Sequence, residues 1–487
     1  MRFPNFEIDG KEESELSAAE KNRYKVDDES DKDTERKKTN KFVIACAVFA
    51  SLKSILAGYD VGVMSGAIIF MKEDLNLTEM EVQFFVGSMS IFSLIGSLVG
   101  GKAADIIGRK WAMVTAAVIV QIGAAVMALA SSISTLMIGR FLSAIGIGIG
   151  MLITPVYIAE ISPNMARGSL TSFPSFLVNF GVLLGYVSNY TFSNLSVHTS
   201  WRIMLAIGIL PSFFIILALV FIPESPRWLV MRNRVEKARH VLAKMVENPN
   251  EVEQRIVEMQ MAGYSSHKER AIWRELMNPS PSLRRMMVTG VGIMCFQQLT
   301  GINAILYYTP EILRSAGMSE RGEILKATVA VGVVKSLLIM VAIGLIDRVG
   351  RKALLHWGAI GMTGCLLGLG VVLRIGGGAQ GALVLVCGDV AFFAMGMGAV
   401  GWVVTAEIFP QRLRAQAAVV CAVGHRLSGG LVAMTFLSAA RLMTIGGVFF
   451  VYAALSAVSV WFVYRFVPET KGKSLEQIEL LFKDGNH

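Results

Sequence analysis

Runs of apolar residues long enough to cross a bilayer alternate with short polar connections along most of this chain. A helix of about 20 mostly apolar residues spans the hydrocarbon core. Helices satisfy their own backbone there, which open strands in lipid do not. Twelve such runs are predicted as helices, over 42–70, 83–101, 111–130, 134–159, 169–190 and 201–222, then 286–310, 325–346, 353–373, 381–406, 417–440 and 446–467. The expected fold is an all-α membrane protein of twelve transmembrane helices in two six-helix bundles. Residues 42–222 form the first bundle and 286–467 the second. Between them, 223–285 is a cytosolic helical linker, with amphipathic patterns such as the one around Trp273. Residues 1–41 and 468–487 read as cytosolic tails, the first disordered because it is polar, of mixed charge and without an apolar core.

The polar connections say the same thing twice. GKAADIIGRKW from Gly101 returns as GLIDRVGRKAL from Gly344, YIAEISPNMARG from Tyr157 as TAEIFPQRLRAQ from Thr405, and PESPR from Pro223 as PETKG from Pro468. Asp105 and Asp347 are 242 residues apart, Glu160 and Glu407 247, and Pro223 and Pro468 245. Three unlike motifs kept in order at one spacing indicate a duplicated unit. In a membrane protein, two related bundles point to a carrier whose central site opens to either side as one bundle rocks against the other.

Composition agrees. The chain of 487 residues is 53% hydrophobic and only 17% charged, with a mean hydropathy of +0.55. The connections carrying Lys102, Arg109 and Lys110, then Arg348, Arg351 and Lys352, then Arg412 and Arg414, are basic and lie on one side with the linker. That side is cytoplasmic by the positive-inside rule, and both termini fall there. The net charge of +9 is therefore a topology signal. No basic stripe with interleaved aromatics accompanies it, so nucleic acid is not an expected partner. Cys46, Cys295, Cys365, Cys387 and Cys421 all lie in apolar runs without metal-type spacing and read as small core residues. No nucleophile–base constellation, metal cluster or phosphate loop occurs in a soluble region, so neither an enzyme nor a cofactor is expected.

A charge in the bilayer core costs at least about 2.5 to 3.5 kcal/mol on insertion scales, so each one there needs a reason. Asp60 lies deep in the first helix among glycines, and Arg140 early in the glycine-rich fourth. A facing carboxylate and guanidinium form a charge-assisted pair, and a proton on the carboxylate releases the arginine. That is the chemistry of a proton-coupled gate; these residues alone leave a fixed structural pair equally open. Lys53 and Lys335 read as side chains that snorkel to an interface. His425 and Arg426 lie together in the eleventh helix, with His425 expected as a neutral hydrogen-bonding group.

The seventh run, CFQQLTGINAILYYTPEIL, differs from the others. It places Gln297, Gln298 and Asn303 inside the membrane, with Tyr307 and Tyr308 before a break expected at Thr309 and Pro310. Amides both donate and accept, which suits neutral polyhydroxyl ligands, and aromatic faces suit their CH surfaces. The repeated cytoplasmic motifs have another expected role. Asp105, Arg109, Glu160, Arg167, Glu224 and Arg227 in one half correspond to Asp347, Arg351, Glu407, Arg414 and Glu469 in the other. Opposite charges at helix ends can latch the cytoplasmic side when the site faces outward and part when it opens inward.

Together GRK, PESPR, QQLTGINAILYY, TAEIFP and PETKG closely resemble the sugar porter family of the major facilitator superfamily, over nearly the whole chain. GYDVGVMSGA, SFPSFLVNFGVLLGYVSNY and MTFLSAARLMTIGG look most like plant polyol/monosaccharide transporters, proton symporters found mostly at the plasma membrane. The resemblance implies that Asp60 binds the proton with Arg140 as partner. It implies that Gln297, Gln298, Asn303 and Tyr307 bind sugar hydroxyls and that Trp402 stacks on the ligand. Ser175, His425 and Arg426 occupy positions of ligand contacts. The pattern is broken at several of these. Ser175 stands where polyol transporters carry glutamate and many hexose transporters glutamine, and His425 where asparagine is usual; Val182 replaces a glutamine and Ala57 a phenylalanine. A roomier or less polar pocket is expected.

The expected function is proton-coupled symport of neutral polyols or monosaccharides by alternating access in a multi-pass plasma-membrane protein, with one chain as the functional unit. A proton-independent uniporter and a non-transporting sugar receptor are the alternatives. Such a receptor is expected to carry a long signalling tail, whereas this chain ends soon after PETKG.

Overall fold

The computed structural model describes residues 40–163, 167–246, 249–263, 269–410, 413–473 and 475–484. Ten described segments are long and apolar enough to span a membrane. One of them is two helices in series: Arg414–Phe466 is broken at Thr444, whose φ is 69°. There the Thr444 hydroxyl accepts the amide of Gly447 and so caps the twelfth helix. The remaining helix, Arg167–Phe192, is the fifth and less apolar, carrying Ser175, Asn179, Ser188 and Asn189. Twelve membrane helices result.

In the first half they are Lys41–Asp74, Glu79–Ile107, Arg109–Ala128, Ile133–Ile161, Arg167–Phe192 and Val197–Phe221. In the second, Pro281–Ser315 is followed by Arg321–Val349, Arg351–Ile375, Ala379–Glu407 and the two helices of Arg414–Phe466. The linker folds as short helices Pro226–Met231, Val235–Met245, Pro249–Gly263 and Glu269–Met277, and Leu475–Asp484 closes the described chain.

Glycines set the closest packing. A Cβ on Gly58 would lie 1.8 Å from the Val178 carbonyl oxygen, and one on Gly62 would lie 2.2 Å from that of Val182. The first and fifth helices therefore meet backbone to backbone, as small-residue stripes allow in lipid. Asn189 adds a bond of 3.0 Å to the Gly62 carbonyl. Between the halves, the second helix packs on the eleventh and the fifth on the eighth. Phe213, Phe214 and Phe221 of the sixth helix stay exposed, as a lipid-facing surface should.

The seventh helix is broken twice, once beside the predicted Thr309–Pro310 position and once where the sequence did not predict it. Its main interruption is at Thr300–Gly301, where Gly301 has φ 91° and a Cβ would strike the Tyr452 ring. The outer segment Ile302–Ser315 has a second kink at Tyr308 and runs through Pro310. Pro310 has no N–H for the Leu306 carbonyl four residues back. Tyr186 of the fifth helix fills that vacancy, donating to Leu306 O at 2.8 Å. Neither Lys53 nor Lys335 snorkels: they are only 4% and 7% exposed.

Candidate substrate and proton site

Each repeated cytoplasmic motif builds the same joint. Gly108 and Gly350, with φ near +100°, turn the chain sharply into the third and ninth helices. The freed amides at those helix starts point at a glutamate, a favourable place for an anion. Glu224 Oε1 accepts from the amides of Arg109 (2.9 Å), Lys110 (3.1 Å) and Ser225 (2.9 Å). Glu469 accepts from those of Arg351 (3.0 Å), Lys352 (3.0 Å) and Lys471 (2.9 Å). Arg109 then reaches Glu160 (3.2 Å) and Asp105 (3.1 Å), and Arg351 reaches Glu407 (3.0 Å). A hydroxyl completes each joint, from Ser225 to Glu160 (2.5 Å) and from Thr470 to Glu407 (2.6 Å).

All these contacts lie within one bundle. Arg414 turns to the Phe409 carbonyl, and Arg227 is exposed. The Arg167 and Asp347 side chains lie outside the described set. Among the described residues the motifs thus brace each bundle rather than pair across the two. Burial pushes the Glu224 carboxyl above its ordinary range against those amides and Arg109. At Glu469 burial acts the same way, but amides of Lys471, Arg351, Lys352 and Thr470 outweigh it and hold the carboxyl below that range.

The bundles meet on the outer side instead. Arg321 pairs with Glu73 at 3.0 Å and Arg441 with Glu79. Gln83 exchanges two bonds with Ser438, of 2.9 and 3.0 Å. Tyr186 holds the outer half of the seventh helix. The end away from the linker is closed, and no described ion pair ties the linker-side ends together.

At mid-membrane the amides of the seventh helix face the tenth and eleventh. A π-helical turn, Ala394–Gly398, loosens the tenth helix, and such turns leave carbonyls out of the regular ladder. Gln297 Nε2 takes the one at Met397 (2.8 Å). Gln298 Nε2 lies in hydrogen-bond contact with His425 Nε2 at 2.9 Å. Both glutamine Oε1 atoms are buried without a partner among the described residues. Buried acceptors left unmatched are costly, and a hydroxyl-bearing ligand would satisfy them. Asn303 and Gln298 border the space over Gly429, where a Cβ would lie 2.7 Å from Asn303 Nδ2 and 3.0 Å from Gln298 Oε1. Trp402, 41% exposed, is tilted over His425 with ring centroids 5.2 Å apart. Arg426 donates across to Ser93 of the second helix.

Arg140 is fully buried and holds Asp60 Oδ2 at 2.7 Å. Its remaining N–H groups reach the carbonyls of Phe85 (3.2 Å) and Val86 (3.4 Å), with the Phe85 ring 5.2 Å away. Tyr307 sits against this pair, in contact with the guanidinium, rather than with the amides. The outer segment of the seventh helix thus touches the ion pair while its inner segment carries the free glutamine oxygens. Ser175 is exposed on the fifth helix, apart from both groups, and Val182 is buried against Gly62.

Sequence reasoning passed over Gly429, Ser93 and Asp389. Asp389 is fully buried in the tenth helix, and neither oxygen has a hydrogen-bond partner among the described residues. A carboxylate inside an apolar run was the signal for it. Gly429 and Ser93 gave none, because their place is set by contacts with distant helices.

Two six-helix bundles closed at the outer end, with a polar cluster between them at mid-membrane, define a multi-pass membrane carrier of the major facilitator type. The family model described as "Sugar (and other) transporter" matches residues 46–482, and the chain belongs to that family. The chain is 59% identical over 454 residues to probable polyol transporter 4 of Arabidopsis thaliana, covering 92% of this chain and 86% of that protein. Its structure resembles that of the proton:xylose symporter XylE bound to 6-bromo-6-deoxy-D-glucose, with a TM-score of 0.77 and 30% identity over 91% of this chain and 100% of that one. The inward-open conformation of XylE from E. coli matches with TM-score 0.77 and 30% identity, over 90% and 99%.

Proposed function

We propose that this chain carries neutral polyols or monosaccharides together with protons across the plasma membrane, with both termini cytoplasmic and one chain as the working unit. The observation that carries the proton is the Asp60–Arg140 pair. When Asp60 is protonated, Arg140 keeps the Phe85 and Val86 carbonyls and the Phe85 ring, so the guanidinium is not stranded. The first helix is then untied from the fourth, and Tyr307 transmits the change to the helix that holds the sugar. Hydroxyls of the substrate meet Gln297 Oε1, Gln298 Oε1 and Asn303, with Trp402 on a CH face and His425 and Arg426 at the floor. The names of the polyol and xylose carriers similar to this chain support the substrate class.

The test is accumulation of labelled sorbitol and xylose in proteoliposomes. One pH unit supplies about 1.4 kcal/mol per proton and 100 mV about 2.3 kcal/mol. A one-proton symporter driven by both is thus limited to about 500-fold accumulation. The wild type concentrates substrate towards that limit, whereas Asp60→Asn equilibrates it and retains counterflow. Accumulation by Asp60→Asn equal to wild type refutes proton coupling at this residue.

A further inference from the structure

Cys46, Lys53 and Asp60 recur every seven residues on the first helix and so share one stripe, seven residues being nearly two turns. Each meets the fourth helix. Asp60 holds Arg140, Lys53 Nζ donates to the Gly146 carbonyl at 3.1 Å, and Cys46 contacts Tyr157. Tyr157 in turn donates to the Pro223 carbonyl at 2.9 Å, beside Glu224 of the cytoplasmic joint. The stripe therefore runs from the ion pair at mid-membrane to the cytoplasmic face.

Lys53 has a site made for it. A Cβ on Gly150 would lie 1.3 Å from Nζ, so the amine fits only because residue 150 is glycine. A cavity of about 10 Å³, room for about one water, adjoins it between Ser54, Ala57 and Thr154. The nearest titratable and charged groups along the stripe are the Asp60–Arg140 pair on one side and the Cys46–Tyr157 contact on the other, and none of them lines the cavity. Val120 of the third helix and Ile147, Met151 and Thr154 of the fourth complete its walls. Among the described residues Gly146 is its one hydrogen-bond partner, and no carboxylate pairs with it. An amine with three donors, one carbonyl and no counter-ion suits a group that takes up and gives up a proton rather than a fixed charge.

We propose that Lys53 is the inner station of the proton path, receiving the proton that leaves Asp60 and passing it towards the cytoplasm. This rests on the symport reading above. The O–H bond of protonated Asp60 breaks, and its electron pair stays on the carboxylate as Arg140 re-forms the ion pair. Lys53, as neutral amine, gains the proton and holds it against Gly146. It then yields it to cytoplasmic water past Cys46 and Tyr157, which regenerates the amine. About 10 Å of helix rise separates Asp60 from Lys53, so the proposed transfer requires a chain of waters longer than the one-water cavity beside Lys53.

The test uses the full-length protein in proteoliposomes, with labelled sorbitol and xylose. Counterflow at equal pH on both faces requires no net proton release; net uptake driven by a pH gradient does. Lys53→Met is expected to keep counterflow within about twofold and to lose about tenfold or more of net uptake. Lys53→Arg keeps the charge but cannot deprotonate, and is expected to behave like Lys53→Met. Retained net uptake in either variant, or equal losses of both rates, overturns the assignment. A wild type that moves substrate without any proton dependence overturns the symport reading and this inference with it.

Discussion

Gly429→Ala is a perturbation whose size follows from the geometry. The added Cβ would lie 2.7 Å from Asn303 Nδ2 and 3.0 Å from Gln298 Oε1, and the third-nearest atom is also in the Gln298 side chain. These are tips of flexible side chains, so the amides swing aside and the helices keep their places. Gly58→Ala is the contrasting control, because its Cβ meets the Val178 backbone at 1.8 Å and must wedge the first and fifth helices apart. Displacing two amides removes two hydrogen bonds to neutral hydroxyls, each about 0.5 to 1.5 kcal/mol. The sum of about 1 to 3 kcal/mol raises KM roughly 5- to 150-fold. The maximal rate is expected to stay near wild type, since the lost contacts bind the substrate without driving the rocking. Initial rates of sorbitol and xylose uptake over a substrate series measure both constants, with melting temperature as a check on folding. A KM within about twofold of wild type in a stably folded variant refutes the placement of the substrate over Gly429.

The two cytoplasmic glutamates should respond differently to amidation. Glu224 places three amides on Oε1 and leaves Oε2 unpartnered, so Glu224→Gln is expected within about 0.5 kcal/mol of wild type in thermal unfolding. Glu469 uses both oxygens, and Glu469→Gln should cost about 1 to 3 kcal/mol. The Glu469 carboxyl is held below its ordinary value of 4.5, so its contribution is present above that value and fades as pH falls through the lower folded one. The melting difference between wild type and Glu469→Gln should shrink over that acid range. At Glu224 the sign reverses: its contribution is present below the ordinary value of 4.5 and lost as pH rises through the raised folded one. On the outer side, Gln83→Ala removes two bonds to Ser438 and should favour the outward-open form by about 1 to 3 kcal/mol. Faster labelling of a Trp402→Cys variant by an impermeant thiol reagent from outside reads that shift, and an unchanged rate rejects the outer closure.

The membrane made the fold legible and hid parts of the site. Hydropathy exposes a spanning helix because lipid offers its backbone no partner, and the repeats displayed the twofold plan. The break at Gly301 was missed because Pro310, beside the kink at Tyr308, is the louder signal. Tyr186, 120 residues away, absorbs what Pro310 removes, whereas Gly301 turns the chain where the ligand amides lie. Lys53 looked like a side chain bound for an interface because the gap that receives it, at Gly150, belongs to another helix. The cytoplasmic charges were visible as a set, but their partners were not. Glu224 and Glu469 answer backbone amides, which carry no side-chain signature.

The first and fourth helices correspond to the seventh and tenth, and in each half a polar link near mid-membrane joins the pair. In the first half the link is ionic, Asp60 to Arg140. In the second it is neutral, Gln297 to the Met397 carbonyl at the π-helical turn. A proton can undo the first because it cancels the charge that makes it strong, and Arg140 has other carbonyls to hold. No proton near neutral pH undoes the second, since an amide and a carbonyl do not titrate there. That link fixes the Gln297 side chain and leaves its Oε1 free for another donor. The two links therefore differ in kind, one that a proton can cancel in the first bundle and one that it cannot in the second. Tyr307 and Gln298, on opposite sides of the Gly301 break, put both within reach of a single helix.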